Sequence, residues 1–253
     1  MFQNGHKWYK GRMNIRSRRL AAASAFAAVA ALTVVPQPAS ASSHRPCTIV
    51  KHGNTKGVTT VGEATATVGA DGVKLTTRQS VTGDKVSWQT DFRPVLANTV
   101  NELSYETVKL DKTAGNNNVV NDAALPAYHI YVRTPQGPGV LVYEPYYQIS
   151  GNPPRNLRIE WDVLAGKLWT PSSTIKGMEH TAGGPATLTF KQVADQNPKM
   201  TVTGIGYGLG TYNAGVIAVL DEQRFGAKNS CSEHQWSTGF SNGRWLPGWL
   251  FRG

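Results

Sequence analysis

The segment Glu160-Trp161-Asp162 holds the two carboxylates whose spacing best suits acid–base chemistry. On an extended strand, residues i and i+2 point the same way, so both acids are expected on one strand face. Retaining glycosidases use two carboxyl groups roughly 5 Å apart, one of them with a raised pKa. A longer acidic motif would carry a third acid where this chain has Leu164 and Ala165. We therefore favour a solvated strand face beside a buried Trp161, with Glu160 and Asp162 as catalytic residues only if the protein is an enzyme.

A second candidate site lies in Tyr143-Glu-Pro-Tyr-Tyr147, where a carboxylate sits among aromatic residues. Aromatic rings cover the apolar face of a pyranose, and a carboxylate orients its hydroxyl groups. The residues expected to bind such a ligand are Tyr143, Glu144, Tyr146, Tyr147 and Trp169. Glu144 is also a third candidate acid for a hydrolase. The alternative is that half of these rings fill the core and the prolines stiffen an ordinary loop.

Motifs for metal-dependent reactions are missing from the sequence. It has no H-E-x-x-H and no cysteine cluster. His129 is expected to be a structural histidine on a strand. The alternating glycines of Gly204–Gly215 precede a β-rich segment, whereas a dinucleotide loop requires a following helix. We therefore predict no cofactor and no catalytic metal. The sequence allows a structural calcium ion, for which Asp71, Asp122 and Asp221 are oxygen donors near turns or strand ends.

The first 41 residues have the pattern of a secretory signal peptide. Six basic residues are followed by an apolar run over Leu20–Val35 and by the small residues Ala39-Ser40-Ala41, so cleavage is expected before Ser42. An uncleaved membrane anchor is the alternative, although the apolar run is short for a membrane span. Met13 could equally be the start of translation. The pattern predicts a secreted protein, extracellular or at the cell surface, with no transmembrane span in its mature chain.

Removing this leader changes how the charge and the cysteines are interpreted. The full chain has a net charge of +10, but the mature chain keeps twenty Lys and Arg against sixteen Asp and Glu. That balance gives no electrostatic footprint for nucleic acid. Cys47 and Cys231 are the only cysteines, and in an exported protein such a pair most simply forms one disulfide. Two unpaired thiols are the alternative. A disulfide would make the two ends of the domain neighbours.

Short β-rich runs separated by turn residues dominate the mature chain. The pattern predicts a strand over Thr59–Thr67, a hairpin of Ala127–Arg133 with Val140–Tyr143, and a second hairpin of Arg158–Asp162 with Lys167–Thr170. One short helix is expected near residues 188–196, ended by Pro198. The fold class is therefore all-β: an antiparallel β-sandwich, of jelly-roll type. We expect residues 42–236 to form the single domain and residues 237–253 to form a flexible tail.

Several segments resemble a group of secreted actinobacterial proteins of unknown function. They are Lys112–Asn116, Asn121–Tyr128, Leu141–Tyr146, and Thr211–Gly215 followed by Asp221. The likeness extends from about Cys47 to Trp236. The strand ending near Asp221 and Phe225-Gly226 also resembles the closing strand of jelly-roll carbohydrate-binding modules. Neither resemblance implies an established active site.

The sequence thus predicts a secreted β-sandwich monomer that binds a carbohydrate or another cell-envelope polymer without catalysis. A glycan-active hydrolase of jelly-roll type is one alternative. A structural envelope protein that binds no small ligand is the other.

Overall fold

The computed structural model describes residues 47–78, 83–110, 122–210, 213–228, 230–238 and 245–247. The expected signal peptide, nearly all of the polar loop before Asp122 and most of the expected tail lie outside the described residues. The described part of the chain consists mainly of strands with one short α-helix. The all-β prediction is therefore confirmed.

The strands and the helix have the following bounds. They are β1 (Thr48–Lys51), β2 (Val58–Val61), β3 (Thr65–Gly69), β4 (Gly72–Thr76), β5 (Lys85–Leu96), β6 (Val100–Lys109), β7 (Ala127–Thr134), β8 (Gly137–Tyr143), β9 (Arg158–Asp162), β10 (Lys167–Leu168), β11 (Leu188–Thr189), α1 (Phe190–Gln196), β12 (Thr201–Leu209), β13 (Ile217–Ala227), β14 (Ser230–Gln235) and β15 (Trp245–Pro247).

Two sheets form the sandwich. In the described residues, the larger sheet has eight strands in the order β1-β14-β13-β6-β9-β15, and β3 joins it through β4. One edge of β13 is shared, because Ile217–Leu220 pairs with β4 and Gln223–Ala227 pairs with β14. The smaller sheet has the order β2-β5-β12-β7-β8. Most pairings are antiparallel, whereas β1 with β14 and β15 with β9 are parallel.

One hydrophobic core lies between the sheets. Tyr105 and Trp161 contribute large buried side chains from the larger sheet, and Tyr128, Ile205 and Tyr207 contribute them from the smaller sheet. Because alternate residues of a strand point to opposite faces, the residues between these core positions lie on the outer faces. Glu144, Glu160 and Asp162 are on those outer faces, whereas Tyr143 is in the core.

The glycines of β12 allow close packing around the centre of the smaller sheet. A Cβ atom at Gly208 would lie 2.5 Å from Cε1 of His129, and one at Gly206 would lie 2.2 Å from the Trp88 carbonyl oxygen. Both separations are shorter than van der Waals contact, so only glycine fits. These glycines therefore serve close packing within the smaller sheet.

The predicted strand over Thr59–Thr67 is divided in two. Gly62 has a φ of +71°, a conformation that favours glycine, and the chain leaves the smaller sheet there to enter the larger one. The Asp84 carboxylate holds this crossing by accepting hydrogen bonds from the Glu63 N–H (3.3 Å) and the Arg78 guanidinium (2.8 Å). With the chain held in this way, β2 ends at Val61, before the end of the predicted strand at Thr67.

The predicted hairpin of Arg158–Asp162 with Lys167–Thr170 does not form. One edge of β9 is occupied by β6 and the other by β15, so β9 has no free edge for the returning chain. The chain instead crosses to the smaller sheet, where Trp169 pairs with Val142. The first predicted hairpin, β7 with β8, is confirmed.

The short helix forms where it was expected but begins two residues later, at Phe190. Thr189 caps it by accepting a hydrogen bond from the Gln192 N–H (3.4 Å), and the Gln192 side chain accepts one from the Thr189 N–H (2.9 Å). This reciprocal arrangement is a capping box. Leu188 and Thr189 themselves form β11, which pairs with β10.

Cys47 and Cys231 form the predicted disulfide. It lies beside the parallel pair of β1 and β14, so the two ends of the domain are neighbours as expected. Just beyond it, the rings of His52 and Trp236 stack with centroids 4.7 Å apart. No helix in the described ranges is long and apolar enough to span a membrane.

Part of the expected tail belongs to the sandwich. Thr238 donates a backbone hydrogen bond to the Gly69 carbonyl (3.1 Å), and β15 pairs with β9 at the edge of the larger sheet. Residues 238 and 245–247 thus make backbone contacts with the larger sheet. Backbone pairing can add a strand to a free sheet edge without a strong sequence pattern, which explains why the sequence did not indicate it.

Candidate functional site

The end of β8 positions Glu144 on the outer face of the smaller sheet. Leu141 and Tyr143 are buried in the core, while Val142 lies in a separate small cluster on the outer side. Glu144 keeps an extended backbone, with φ −117° and ψ 128°, so the alternation continues through it. Its carboxylate therefore lies on the same face as Val142. Pro145 then begins a 3-10 turn that ends the strand.

Trp169 lies next to β8 on this face. Its backbone exchanges two hydrogen bonds with Val142, of 2.9 and 3.0 Å, and its side chain packs in a cluster with Ala127 and Val142. The side chain is only 9% exposed, yet its indole N–H has no hydrogen-bond partner. A buried donor without an acceptor costs roughly 1–3 kcal/mol, so it needs an explanation.

Tyr146 and Tyr147 form an aromatic pair at the surface of the turn. Their rings are in an edge-to-face arrangement with centroids 5.0 Å apart. Tyr146 is 52% exposed, whereas Tyr147 is half-buried against the Trp169 cluster and donates its hydroxyl hydrogen to the Gly183 carbonyl. Tyr147 is thus held in place, and Tyr146 presents a ring to solvent.

Gln148 connects this turn to the segment that carries Trp169. Its side chain donates to the Lys167 carbonyl (2.9 Å) and accepts from the Lys167 N–H (3.0 Å). The same side chain also donates to the carbonyl of Glu144 (3.3 Å). The turn and the Trp169 segment are therefore fixed relative to each other before any ligand binds.

The Glu144 carboxyl group is electrostatically unusual. Burial raises its pKa to about 7, and no donor or cation among the described residues contacts it. Burial also raises the pKa of Tyr147, with smaller contributions from the charge of Glu144 and from Tyr146. A half-buried carboxyl and a buried indole N–H, both unpaired, thus lie beside an exposed ring. Glu144 thus offers an acceptor and Tyr146 an apolar surface, while the buried Trp169 N–H becomes a donor to a ligand only when the side chains that cover it move aside.

Four of the five residues predicted to bind a ligand are brought together here, and the fifth is not. Tyr143 is 1% exposed, and its ring packs in the core against Tyr105 and Trp161. Its ring therefore does not contribute to a surface platform. The alternation of β8 explains this, because Tyr143 and Glu144 must lie on opposite faces. We define the Glu144 site as Glu144, Tyr146, Tyr147 and Trp169.

Glu160 and Asp162 lie on the other side of the molecule. Both project from the outer face of the larger sheet, on either side of the buried Trp161, which matches their predicted strand geometry. Glu160 is 3.8 Å from the Arg224 guanidinium, and the Asp162 carboxylate accepts a hydrogen bond from the Ala165 N–H (3.1 Å). Because Glu144 is on the opposite outer face, it cannot act together with these two acids.

A charged network that the sequence did not indicate lies next to Glu160. Arg158 is buried and donates to the Glu106 carboxylate (2.8 Å) and to the Asp71 carbonyl (2.8 Å). The Glu106 carboxyl is also hydrogen-bonded to that of Glu222, and burial, followed by this bond and the charge of Glu222, raises the pKa of Glu106 to about 9. The carboxyl groups of Glu106 and Glu222 therefore share one proton at neutral pH.

The position of Glu222 in this network depends on a β-bulge. The pairing of β13 with β6 is irregular between Asp221 and Arg224, and Glu222 has a φ of +48°. A bulge of this kind redirects a side chain. No sequence signal marks it. Glu106, in contrast, alternates with the core residues of β6, so the sequence could predict that it lies on the outer face of the sheet.

The three aspartates considered for calcium do not converge. Asp221 accepts hydrogen bonds from the backbone N–H groups of Trp236 (2.8 Å) and Ser237 (3.2 Å), Asp122 pairs with Arg155, and Asp71 lies at the β3–β4 turn. Within the described residues, the trio of potential ligands that lies close together includes Cys47 and Cys231. Those two cysteines are joined in the disulfide, so this trio is not a metal site.

Comparison with protein-family models, curated proteins and solved structures finds no match. The role of the Glu144 site is therefore derived from its own geometry.

Proposed function

We propose that this protein is secreted and binds a polysaccharide of the cell exterior or envelope at the Glu144 site, without catalysis. The observation that carries the proposal is the unpaired Glu144 carboxyl and the unpaired Trp169 N–H beside the exposed ring of Tyr146. A sugar supplies hydroxyl groups for both polar atoms and an apolar ring face for the tyrosine.

The extracellular location is supported by two independent features. The first 41 residues have the order of a signal peptide, and the chain carries a disulfide. Disulfides persist in oxidising compartments and are rare in the cytosol of most organisms. A ligand outside the cell therefore suits both features.

Binding is better supported than hydrolysis. Glu160 is near Arg224, and Asp162 accepts a hydrogen bond from the turn that follows β9. Each of the two acids thus has a partner within the protein, whereas a glycosidase also needs a proton-donating acid at the scissile bond. Glu144 has the raised pKa of such an acid but lies on the opposite face from the other two carboxylates.

The test is a glycan array followed by calorimetric titration of any glycan that binds. The chain lacking residues 1–41 is compared with its Tyr146→Ala and Glu144→Gln variants, and Glu160→Gln serves as the control on the opposite face. We expect each site variant to weaken binding by roughly tenfold, or about 1.4 kcal/mol, and the control to leave it unchanged. Binding that all three variants leave unchanged would reject the site, and a lack of any glycan binding would favour the structural envelope protein.

A further inference from the structure

The Glu144 site has an unbalanced charge. Val142 pairs with Trp169 in an antiparallel bridge. Glu144 lies two residues after Val142, and Lys167 lies two residues before Trp169, so Lys167 is the residue across from Glu144. Lys167 nevertheless forms no ion pair within the described residues. When Glu144 is ionised, a hydroxyl ligand donates one hydrogen bond and leaves the negative charge desolvated. An ammonium group supplies an opposite charge and three donors, which offset that cost more fully.

The aromatic pair also favours a cation. The face of a tyrosine ring carries the negative part of its quadrupole, and a cation within about 6 Å of the ring centre is attracted to it. Tyr146 and Tyr147 are in edge-to-face contact with centroids 5.0 Å apart, so the ring available to a cation is the exposed one, that of Tyr146. The Tyr147 hydroxyl is anchored on the Gly183 carbonyl, so its ring has a defined position before binding.

The remaining polar atom distinguishes a sugar from a simple amine. The Trp169 N–H is a donor only, so its missing partner is an acceptor such as a hydroxyl or ring oxygen. A ligand that satisfies both atoms carries an amine and an oxygen acceptor in one unit. An unacetylated amino sugar has both groups.

We infer that the ligand of the Glu144 site is a glycan with free amino groups, whose ammonium pairs with Glu144 beside the exposed ring of Tyr146. This inference rests on the proposed carbohydrate-binding function and specifies its ligand class.

The test compares hexamers of glucosamine, N-acetylglucosamine and glucose by calorimetric titration of the chain lacking residues 1–41, at about pH 6.5, where both the amine and Glu144 are partly ionised. We expect the glucosamine hexamer to bind at least tenfold more tightly than the other two. Glu144→Gln should reduce this preference to less than twofold, because it removes the charge and keeps the shape. Glu160→Gln, which removes an exposed carboxylate from the opposite face, should retain the preference.

The outcomes separate the inference from the proposed function. If the acetylated or the glucose hexamer binds as tightly as the glucosamine hexamer, and Tyr146→Ala weakens that binding, the amine inference fails while carbohydrate binding at this site stands. If none of the hexamers binds, or if Tyr146→Ala leaves binding unchanged, both fail. A preference for glucosamine that Glu144→Gln leaves intact also overturns the inference, because it would reflect general attraction to a cation.

Discussion

The Nε2 atom of His52 lies 3.0 Å from the Nδ1 atom of His234, so the two rings share one hydrogen bond across the β1–β14 pair. Burial lowers the pKa of both histidines, and for His234 burial and the nearby His52 lower it to about 4. His52 is stacked against Trp236, and His234 adjoins Trp88, so these rings limit the access of water to a protonated imidazole.

The stability of the protein should therefore decrease in mild acid. A histidine whose folded-state pKa is lowered from 6.5 destabilises the fold progressively as pH falls from about 6.5 towards 4, because the unfolded chain takes up the proton first. Between about pH 6.5 and 4.5, we expect the free energy of unfolding of His234→Gln to fall by roughly 2 kcal/mol less than that of the wild type, as measured by urea unfolding. His180→Gln, at an exposed loop position, is the control. Equal losses in all three proteins would contradict this account.

Glu106 should have the opposite dependence on pH. Its folded-state pKa is raised to about 9, so the unfolded chain loses the proton first and stability falls as pH rises from 4.5 towards 9. In Glu106→Gln, the amide can accept from Arg158 and donate to Glu222 without needing a proton. We expect this variant to gain stability over the wild type from pH 5 to pH 8, measured by urea midpoints. Glu179→Gln, at an exposed position, should show no such gain. A Glu106→Gln variant that is equally destabilised at both pH values would refute the shared proton.

The disulfide should hold β1 in place. All four residues of β1 are exposed, so burial contributes little to its attachment, and the bond closes a separation of 184 residues. Replacing both cysteines by serine should cost roughly 5 kcal/mol, or about 10–20 °C in Tm. Hydrogen exchange of the amides of Thr48–Lys51 should also become faster. Unchanged exchange in β1, or free thiols in the folded wild-type protein, would disprove this role.

Trp169 and Trp161 offer a matched comparison of two buried indoles. The Trp161 N–H donates to the Thr107 hydroxyl (2.8 Å), whereas the Trp169 N–H has no partner. Trp169→Phe should therefore change the free energy of unfolding by less than about 1 kcal/mol, because removing the unpaired donor offsets the lost packing. Trp161→Phe should cost more, since it leaves the hydroxyl unpaired. If thermal or urea unfolding finds the two variants equally destabilised, the Trp169 N–H is not unpaired in solution.

The fold class, the disulfide and the β7–β8 hairpin were predictable because each depends on a local pattern or on cysteine count. The predicted β9–β10 hairpin was wrong. Its failure depends on the pairing of β9 with β6 and β15, and a short sequence window contains no information about such distant partners.

The candidate site was predictable as a group of residues but not as a geometry. Both faces of β8 are apolar, with Val140 and Val142 on one side and Leu141 and Tyr143 on the other, so the sequence could not tell which face is the core. Tyr143 was included for that reason. The unpaired N–H of Trp169 depends on the pairing of Trp169 with Val142, which only the tertiary structure provides.

The positions of β12 and β13 have a consequence for how the chain folds. These strands are the centres of the two sheets, yet they come late in the sequence, and their partners β5, β7, β4 and β6 come much earlier. Neither sheet can close until its central strand has been synthesised, and a topology with such high contact order folds slowly. We therefore expect the growing chain to remain unfolded throughout most of its synthesis, which is the state that passage across a membrane requires.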